Sequence, residues 1–163
     1  MDKNEITVRE KFAQIMERYG PGVYRLALSL TGDAEFANDV YQQTFLLLLE
    51  KQPSFSHSAQ LRVWLLKCAR KVIASQRRRA DNSRTVPLDN VRETGVPDSS
   101  MCELYDLLSA LDEKYREAVE LFYIEDMSIR DIAAVMNLSL AAVKTRLSRA
   151  RAELKKIYKE ELM

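Results

Sequence analysis

The sequence predicts an all-α protein in which two small helical domains are joined by a flexible linker. Apolar residues recur at helical spacing along most of the chain. Only four Gly and four Pro occur in 163 residues, a composition that favours helices over strands. Residues 81–100 interrupt the pattern with two Pro and many polar residues, so the predicted domains cover residues 1–80 and 101–163.

The N-terminal domain is predicted to begin with two short helices. Apolar positions indicate one helix over residues 7–19 and another over residues 22–31. The Gly-Pro-Gly segment at 20–22 separates them, and its proline suits the first turn of the second helix. Asp33 follows a turn and is a suitable N-cap for a third helix.

The third predicted helix, residues 34–51, has an uneven distribution of apolar residues. The run Phe45–Leu49 makes it apolar on every side. This indicates either a central helix that is buried on most sides or a surface kept for a protein partner. In the second case Asp39, Gln42 and Gln43 would form its polar edge. The pattern favours burial.

A fourth helix is predicted from Ser58 to about Ala80. Trp64 and Cys68 lie on its apolar stripe, and we expect both in the core, with Trp64 as a base-stacking platform the alternative. The other faces are basic, since residues 62–79 contain seven Lys or Arg and no acid. Such a helix attracts the phosphate backbone of nucleic acids.

The C-terminal domain is predicted to end in a helix-turn-helix. Helices over residues 101–111 and 113–125 come first. Ser128–Lys156 then reads as two amphipathic helices joined at residues 137–139, Asn-Leu-Ser. Asn tolerates the left-handed conformation that ends a helix, and Ser can cap the next one. In a helix-turn-helix the second helix enters the DNA major groove.

The second helix of this motif carries the residues predicted to face DNA. Val143 and Leu147 form its core stripe, and small residues on the opposite face permit a close approach to base edges. Long cations flank these small residues, because residues 140–156 contain six Lys or Arg against one Glu. An amphipathic helix with a solvated basic face is the alternative.

Composition argues against several classes of function. One histidine, His57, and two cysteines outside any CxxC spacing provide no disulfide framework, metal cluster or His-based catalytic set. Neither enzyme activity nor a cofactor is therefore predicted. The N-terminus lacks a signal-peptide pattern and no apolar run approaches the length of a membrane span, so we expect a cytoplasmic protein.

Three segments, in order, resemble the bacterial sigma-70 family, specifically its extracytoplasmic-function (group 4) type. The first resembles the family pattern D-x-x-Q-[ED]-x-F, with Asp39, Gln42 and Phe45 at matching positions and Gln43 at the acidic position. VWLLKCARKVIASQRRR is similar to the family segment F-x-x-W-L-x-x-I-A-x-N, and SIRDIAAVMNLSLAAVKTRLSRARAEL to the family helix-turn-helix. The chain departs from the usual residues at Gln43, Lys71, Ser75 and Asn137.

This resemblance implies a sigma factor that binds core RNA polymerase, melts the −10 element and directs transcription initiation. Residues 7–80 correspond to the family's region 2 and residues 101–158 to its region 4. Region 2 would bind the polymerase through Asp39, Gln42, Gln43, Leu46 and Glu50. It would bind the −10 element, with one base flipped out, through Ser56, His57, Arg62, Lys67, Arg70 and Lys71. Region 4 would bind the −35 element through Ser139, Ala141, Ala142, Lys144, Thr145, Arg146, Ser148, Arg149 and Arg151.

The partners implied by the resemblance are core RNA polymerase, promoter DNA and an anti-sigma factor. On the polymerase, the contacts would be the clamp helices of the large subunit and the flap. No small-molecule substrate is implied. Two other functions compete with this interpretation. A stand-alone helix-turn-helix regulator would bind duplex DNA unaided, usually as a dimer, whereas a small helical enzyme would need a catalytic constellation that the residues do not offer.

Overall fold

The computed structural model describes residues 8–83 and 99–161, and every regular element in these residues is helical. The helices are α1 Val8–Thr31, α2 Ala34–Lys51, α3 Ser58–Ser83, α4 Ser99–Ser109, α5 Glu113–Val119, α6 Ile129–Met136 and α7 Leu140–Glu161. A π-helical turn, Glu120–Ile124, continues α5. Most of α1 forms a compact unit with α2 and α3, and α4 to α7 belong to a second unit. The predicted all-α class with two helical domains is confirmed.

Both helices next to the predicted linker extend into it. α3 ends at Ser83 and α4 begins at Ser99, whereas the linker was predicted over residues 81–100. The remainder of that prediction, residues 84–98, lies outside the described residues. Helix ends commonly differ from sequence-based boundaries by a few residues, because the terminal turns carry little periodic signal.

The predicted break in the first helix is wrong. α1 is one helix of 24 residues, with Pro21 inside it. Pro21 cannot donate a backbone hydrogen bond to the preceding turn, but Val23 and Leu26 directly after it are buried, so packing stabilises the continuous helix. Gly20 also has a packing role: a Cβ there would lie 2.9 Å from the ring and the hydroxyl of Tyr41 in α2. The Gly-Pro-Gly segment, which predicted a helix break, is therefore a place where α1 and α2 pack closely together.

α2 begins at its predicted N-cap and ends at a left-handed residue that the sequence did not indicate. Asp33 Oδ1 accepts hydrogen bonds from the backbone N–H groups of Glu35 at 2.9 Å and Phe36 at 3.3 Å. At the other end Gln52 is left-handed, with φ 40°, and its N–H donates to the carbonyl of Leu48 at 2.9 Å. The α2 bounds are those predicted from the sequence.

Only one face of α2 is buried. Val40, Thr44 and Leu48 lie in the core, and the Thr44 hydroxyl donates to the Val40 carbonyl at 2.7 Å, which satisfies it there. On the other face the side chains of Leu46 and Leu49 are 62% and 37% exposed. The expectation that this helix is buried on most sides is wrong, because its apolar run is longer than the face that α3 and the rest of the unit cover.

α3 presents a helical stripe of buried residues to the first unit, including Leu61, Leu65 and Val72. Trp64 lies at the edge of this stripe and is half-buried. Its ring meets the buried ring of Phe55 edge-to-face, with 6.1 Å between the centroids. The prediction of a core tryptophan is correct in part: one side of the ring packs inward and the remainder is exposed.

The second unit is built around the contact of α5 with α7. Leu108, Leu111, Val119 and Ala150 form one buried cluster of this unit. The sequence predicts a regular helix over residues 113–125, but its last turn is a π-helix. There the N–H of residue 125 donates to the carbonyl five positions earlier, at 3.0 Å. This wider turn has no signature in the spacing of apolar residues.

Candidate functional site

α6 and α7 form a helix-turn-helix whose caps agree with the sequence. Ser128 Oγ accepts a hydrogen bond from the Asp131 N–H at 3.1 Å and opens α6. Asn137 ends α6 in the left-handed conformation, with φ 55° and ψ 50°. Ser139 Oγ accepts from the Ala142 N–H at 3.1 Å and opens α7. These caps fix where each helix stops, and they determine how α7 leaves the turn.

One face of α7 is core and the opposite face is a row of small side chains. The buried stripe consists of Val143, Leu147 and Ala150. The exposed row, which we call the small-residue row, consists of Ala141, Thr145 and Ser148. No long side chain stands on the row itself, so the helix can approach the base edges of a DNA groove closely.

Cations border the small-residue row on both sides. At 100° per residue, Lys144 and Arg151 lie on one flank and Arg146 and Arg149 on the other. Lys144, Arg149 and Arg151 are exposed, whereas Arg146 is half-buried beside the core. Ala142, also half-buried, lies on the flank of Arg146. The predicted −35 residues with exposed side chains are Ser139, Ala141, Lys144, Thr145, Ser148, Arg149 and Arg151.

Tyr123 is a residue of this surface that the sequence did not reveal. It belongs to the π-helical turn and its side chain is 53% exposed. Its hydroxyl accepts a hydrogen bond from Arg151 Nη1 at 3.1 Å. The two residues are 28 positions apart, and no motif or spacing connects them. Only the packing of the second unit brings them together.

In the first unit, all five predicted polymerase-binding residues lie on the exposed face of α2. Asp39, Gln42, Gln43, Leu46 and Glu50 are exposed and occupy one helical stripe, which we call the α2 stripe. Leu49, which is not part of the predicted set, adds a second exposed leucine beside them. The stripe combines apolar side chains with carboxylates and amides and carries no cation. This chemistry suits a protein partner better than a phosphate backbone.

The predicted −10 residues on α3 do not share one face. Lys67 and Lys71 are exposed and one turn apart, so they form a basic edge. Arg62 and Arg70 are half-buried. Arg62 and Arg18 line a cleft of about 200 Å³ between α3 and α1. The structure therefore brings the two lysines together and places Arg62 on another side of α3.

The loop before α3 is held at two adjacent residues. Phe55 is buried and anchors it to the core. Ser56 donates through its backbone N–H and its hydroxyl to Gln60 Oε1, at 3.1 Å and 2.9 Å. Ser56 and His57, both predicted to contact the −10 element, are exposed at the start of α3. The exposed part of the loop is thus short and constrained.

The described residues contain neither a metal cluster nor a membrane span. Within residues 8–83 and 99–161, no three His, Cys, Asp or Glu side chains are grouped so that they could hold a metal ion. In the same ranges no helix is both long and apolar enough to cross a bilayer. The exposed faces of α2, α3 and α7 are the features that a function has to explain.

Comparison with known proteins identifies the class to which these faces belong. Residues 15–83 match the family described as sigma-70 region 2, and residues 103–154 match sigma-70, region 4. The ECF RNA polymerase sigma factor SigM of Bacillus subtilis (strain 168) is 30% identical over 153 residues, which cover 89% of this chain and 93% of SigM. SigW of the same organism is 24% identical over 166 residues, covering 91% of this chain and 89% of SigW.

Solved structures agree with the sequence matches. The sigma factor RpoE from Bartonella quintana, solved in complex with the anti-sigma factor NepR, has a TM-score of 0.76 and 26% identity, covering 92% of this chain and 98% of RpoE. CnrH, solved with the cytosolic domain of CnrY, has a TM-score of 0.69 and 25% identity, covering 93% of this chain and 90% of CnrH. The chain belongs to the extracytoplasmic-function sigma factors of the sigma-70 family. It directs promoter-specific initiation of transcription by RNA polymerase.

Proposed function

We propose that the two helical units divide the work of this sigma factor between polymerase and promoter. Residues 1–80 bind core RNA polymerase and the −10 element, residues 101–163 bind the −35 element, and residues 81–100 link them. The observation that carries this proposal is the contrast between two exposed faces. The α2 stripe is apolar and acidic, whereas the small-residue row of α7 is bordered by cations.

The α2 stripe is the proposed contact with the clamp helices of the large polymerase subunit. Leu46 and Leu49 expose apolar area that a protein partner would remove from water. Asp39, Gln42 and Glu50 along the same stripe supply hydrogen-bond acceptors and negative charge for the rim of that interface. Two apolar anchors within a polar rim are typical of the centre of a protein interface.

The loop at residues 52–58 and the basic edge of α3 are the proposed −10 surface. Lys67 and Lys71 would neutralise phosphates, which makes this contact dependent on salt. Ser56 and His57 stand at the end of the loop, where a base flipped out of the stack could be held. The bonds from Ser56 to Gln60 would preorganise this loop, so that binding a base costs less ordering.

α7 is the proposed reader of the −35 element. The small-residue row would face the base edges, and Lys144 and Arg149 would reach guanine edges or phosphates from opposite flanks. Arg151 and Arg146 would contact the backbone. Because phosphate contacts fix register while base contacts select sequence, the row and its flanks have separate roles.

An anti-sigma factor is proposed as a further partner, because both solved relatives were determined together with a second protein. That protein is the anti-sigma factor NepR in one case and the cytosolic domain of CnrY in the other. The protein is proposed to act in the cytoplasm, with no chemistry and no small-molecule substrate of its own.

Binding to core RNA polymerase tests the proposal. The labelled chain is compared with the variant Asp39→Ala/Gln42→Ala, which truncates the α2 stripe. A matched control is Gln14→Ala/Glu17→Ala, which removes an exposed amide and an exposed acid at the same spacing on α1. We expect tight binding that the α2 variant weakens and the control leaves unchanged.

The opposite results would overturn the proposed division of roles. If the wild-type chain did not bind core polymerase and instead shifted duplex DNA on its own, residues 1–80 would not have the proposed polymerase-binding role. Equal binding of wild type and the α2 variant, with the control also unchanged, would place the polymerase contact elsewhere on the first unit.

A further inference from the structure

The hydrogen bond between Tyr123 and Arg151 joins the π-helical turn to the cationic flank of α7. Arg151 Nη1 donates to the Tyr123 hydroxyl oxygen at 3.1 Å. Both side chains are exposed, and the Tyr123 ring packs edge-to-face on Phe122 with 4.9 Å between the centroids.

The direction of the bond matters for what the pair can bind. The tyrosine oxygen acts as the acceptor, so its own O–H can still be donated. Arg151 has further N–H groups besides the one that it uses on Tyr123. Two donors within 3.1 Å of each other are therefore presented at the edge of the surface proposed to face DNA. Arg and Tyr side chains are both common donors to DNA phosphate oxygens.

The bond also limits the freedom of a long side chain. An exposed Arg samples many rotamers, and ordering it on binding carries an entropic cost. The hydrogen bond to Tyr123, whose ring packs on Phe122, reduces that cost in advance because it restricts the arginine before DNA is bound. π-helical turns of this kind occur frequently at functional sites.

We propose that Tyr123 positions Arg151 and forms with it a two-donor clamp for one phosphate at the flank of the −35 element. This inference rests on the proposed role of α7 as the reader of that element. Tyr123 is a positioning residue through Arg151 and contributes its own hydroxyl to the same phosphate. The clamp sets how α7 is placed along the groove and does not select a base.

The test uses holoenzyme reconstituted with core RNA polymerase and a promoter that the wild-type holoenzyme selects from a random DNA library. Promoter affinity is measured over a range of salt concentrations for wild type, Tyr123→Phe, Arg151→Ala and the double variant. Tyr158→Phe is the matched control, since Tyr158 is an exposed tyrosine two turns beyond Arg151 on α7.

We expect Tyr123→Phe to weaken promoter binding roughly threefold, as for loss of one exposed hydrogen bond to a charged group. Arg151→Ala should weaken binding more and should reduce the slope of log affinity against log salt by about 0.9, the value for one phosphate contact. Because the hydroxyl acts partly through Arg151 and partly by its own bond to the phosphate, Tyr123→Phe should weaken binding less in the Arg151→Ala background than in the wild type. The thermal midpoint of Tyr123→Phe should stay at the wild-type value, because its ring is retained.

Failure of this inference can be told apart from failure of the proposed function. If wild-type chain does not bind core polymerase, or selects no promoter with an upstream element, the proposed function fails and the clamp fails with it. If Arg151→Ala weakens binding but Tyr123→Phe does not, or if the two substitutions act additively, the clamp alone is wrong. An unchanged affinity in Arg151→Ala also overturns it.

Discussion

Gly20 of α1 lies directly against Tyr41 of α2. A Cβ on Gly20 would stand 2.9 Å from both Cε2 and the hydroxyl oxygen of Tyr41, closer than real Cβ atoms approach their neighbours. Glycine therefore allows close contact of the two helices here without displacing Tyr41, although it lies within a helix, where it is normally unfavourable.

Replacement of Gly20 by alanine should therefore destabilise the first unit, by about 1–3 kcal/mol, as expected for an overpacked contact. Denaturant unfolding followed by tryptophan fluorescence measures this directly. Trp64 is the only tryptophan of the chain and lies in the first unit, so its signal reports on that unit alone.

Tyr41→Ala provides the control for this contact. In that background the obstructing ring is gone, and Gly20→Ala should instead stabilise the helix by roughly 0.5–1 kcal/mol through its better propensity. A destabilisation of the same size in both backgrounds would show that the cost does not come from the Tyr41 contact.

Local capping chemistry could be predicted from sequence, and tertiary contacts could not. Asp33, Ser139 and Asn137 act on backbone groups within a few residues, and all three were assigned correctly. The helix break predicted at Pro21 does not occur, because the local preference of proline is outweighed by packing that involves residues far along the chain. The exposure of one side of the apolar run in α2 could not be predicted for the same reason. The spacing of apolar residues alone does not show which faces of a helix have a neighbour.

In the candidate functional site, too, local features could be predicted from the sequence and tertiary contacts could not. The small-residue row and its cationic flanks follow from helical geometry once α7 is recognised. Tyr123 could not be found, because a π-helical turn and a contact 28 residues away determine its position. The half-buried state of Arg146 and Arg62 likewise depends on neighbouring elements, and their DNA contacts stay predictions.

Substitutions of Asn137 test whether the turn of the helix-turn-helix depends on a residue that tolerates the left-handed conformation. Its left-handed backbone, with φ 55°, strains most L residues but not glycine. We expect Asn137→Ala to lower the stability of the second unit by about 1 kcal/mol, whereas Asn137→Gly should stay within about 0.5 kcal/mol of wild type. Hydrogen exchange of α6 and α7 amides measures the difference. Equal effects of the two substitutions would mean that the strain at this position is not what limits stability.

Lys144 and Arg149 test the assignment of α7 to the −35 element. Each lies exposed on a different flank of the small-residue row, so Lys144→Ala or Arg149→Ala should lower initiation from −35-dependent promoters by roughly 3- to 30-fold. Binding to core polymerase should be unchanged, because the proposed polymerase contact lies on α2. In vitro transcription and polymerase binding are measured side by side.

Lys155→Ala is the matched control for these variants, since Lys155 is also exposed on α7 but lies about three turns beyond Lys144. It should leave initiation close to the wild-type level. Loss of polymerase binding in the Lys144 or Arg149 variant would overturn the division of roles between the two units.

Cys68 of α3 is half-buried rather than a full core residue, and its titration reports on its surroundings. Burial raises the pKa of its thiol above the ordinary value of 9.0, while the charges of Lys51 and Lys71 lower it to a smaller extent. In a Cys102→Ser background, the pH midpoint of alkylation by iodoacetamide should therefore be higher for the folded chain than for the chain in urea. Because the folded thiol has the higher pKa, it stabilises the fold below the unfolded pKa, and this contribution is lost as pH rises through the folded value.

Lys71→Ala separates the two causes of this shift. Removing a cation that favours the thiolate should raise the alkylation midpoint further. Lys67→Ala removes the other lysine of the basic edge and serves as the control. It should change the midpoint less, because the charges that lower the pKa of the thiol are those of Lys51 and Lys71. A midpoint at or below that of the unfolded chain would contradict the dominance of burial. It would mean that the two lysines control the thiol, and that the middle of α3 is more strongly electropositive than its partly buried geometry implies.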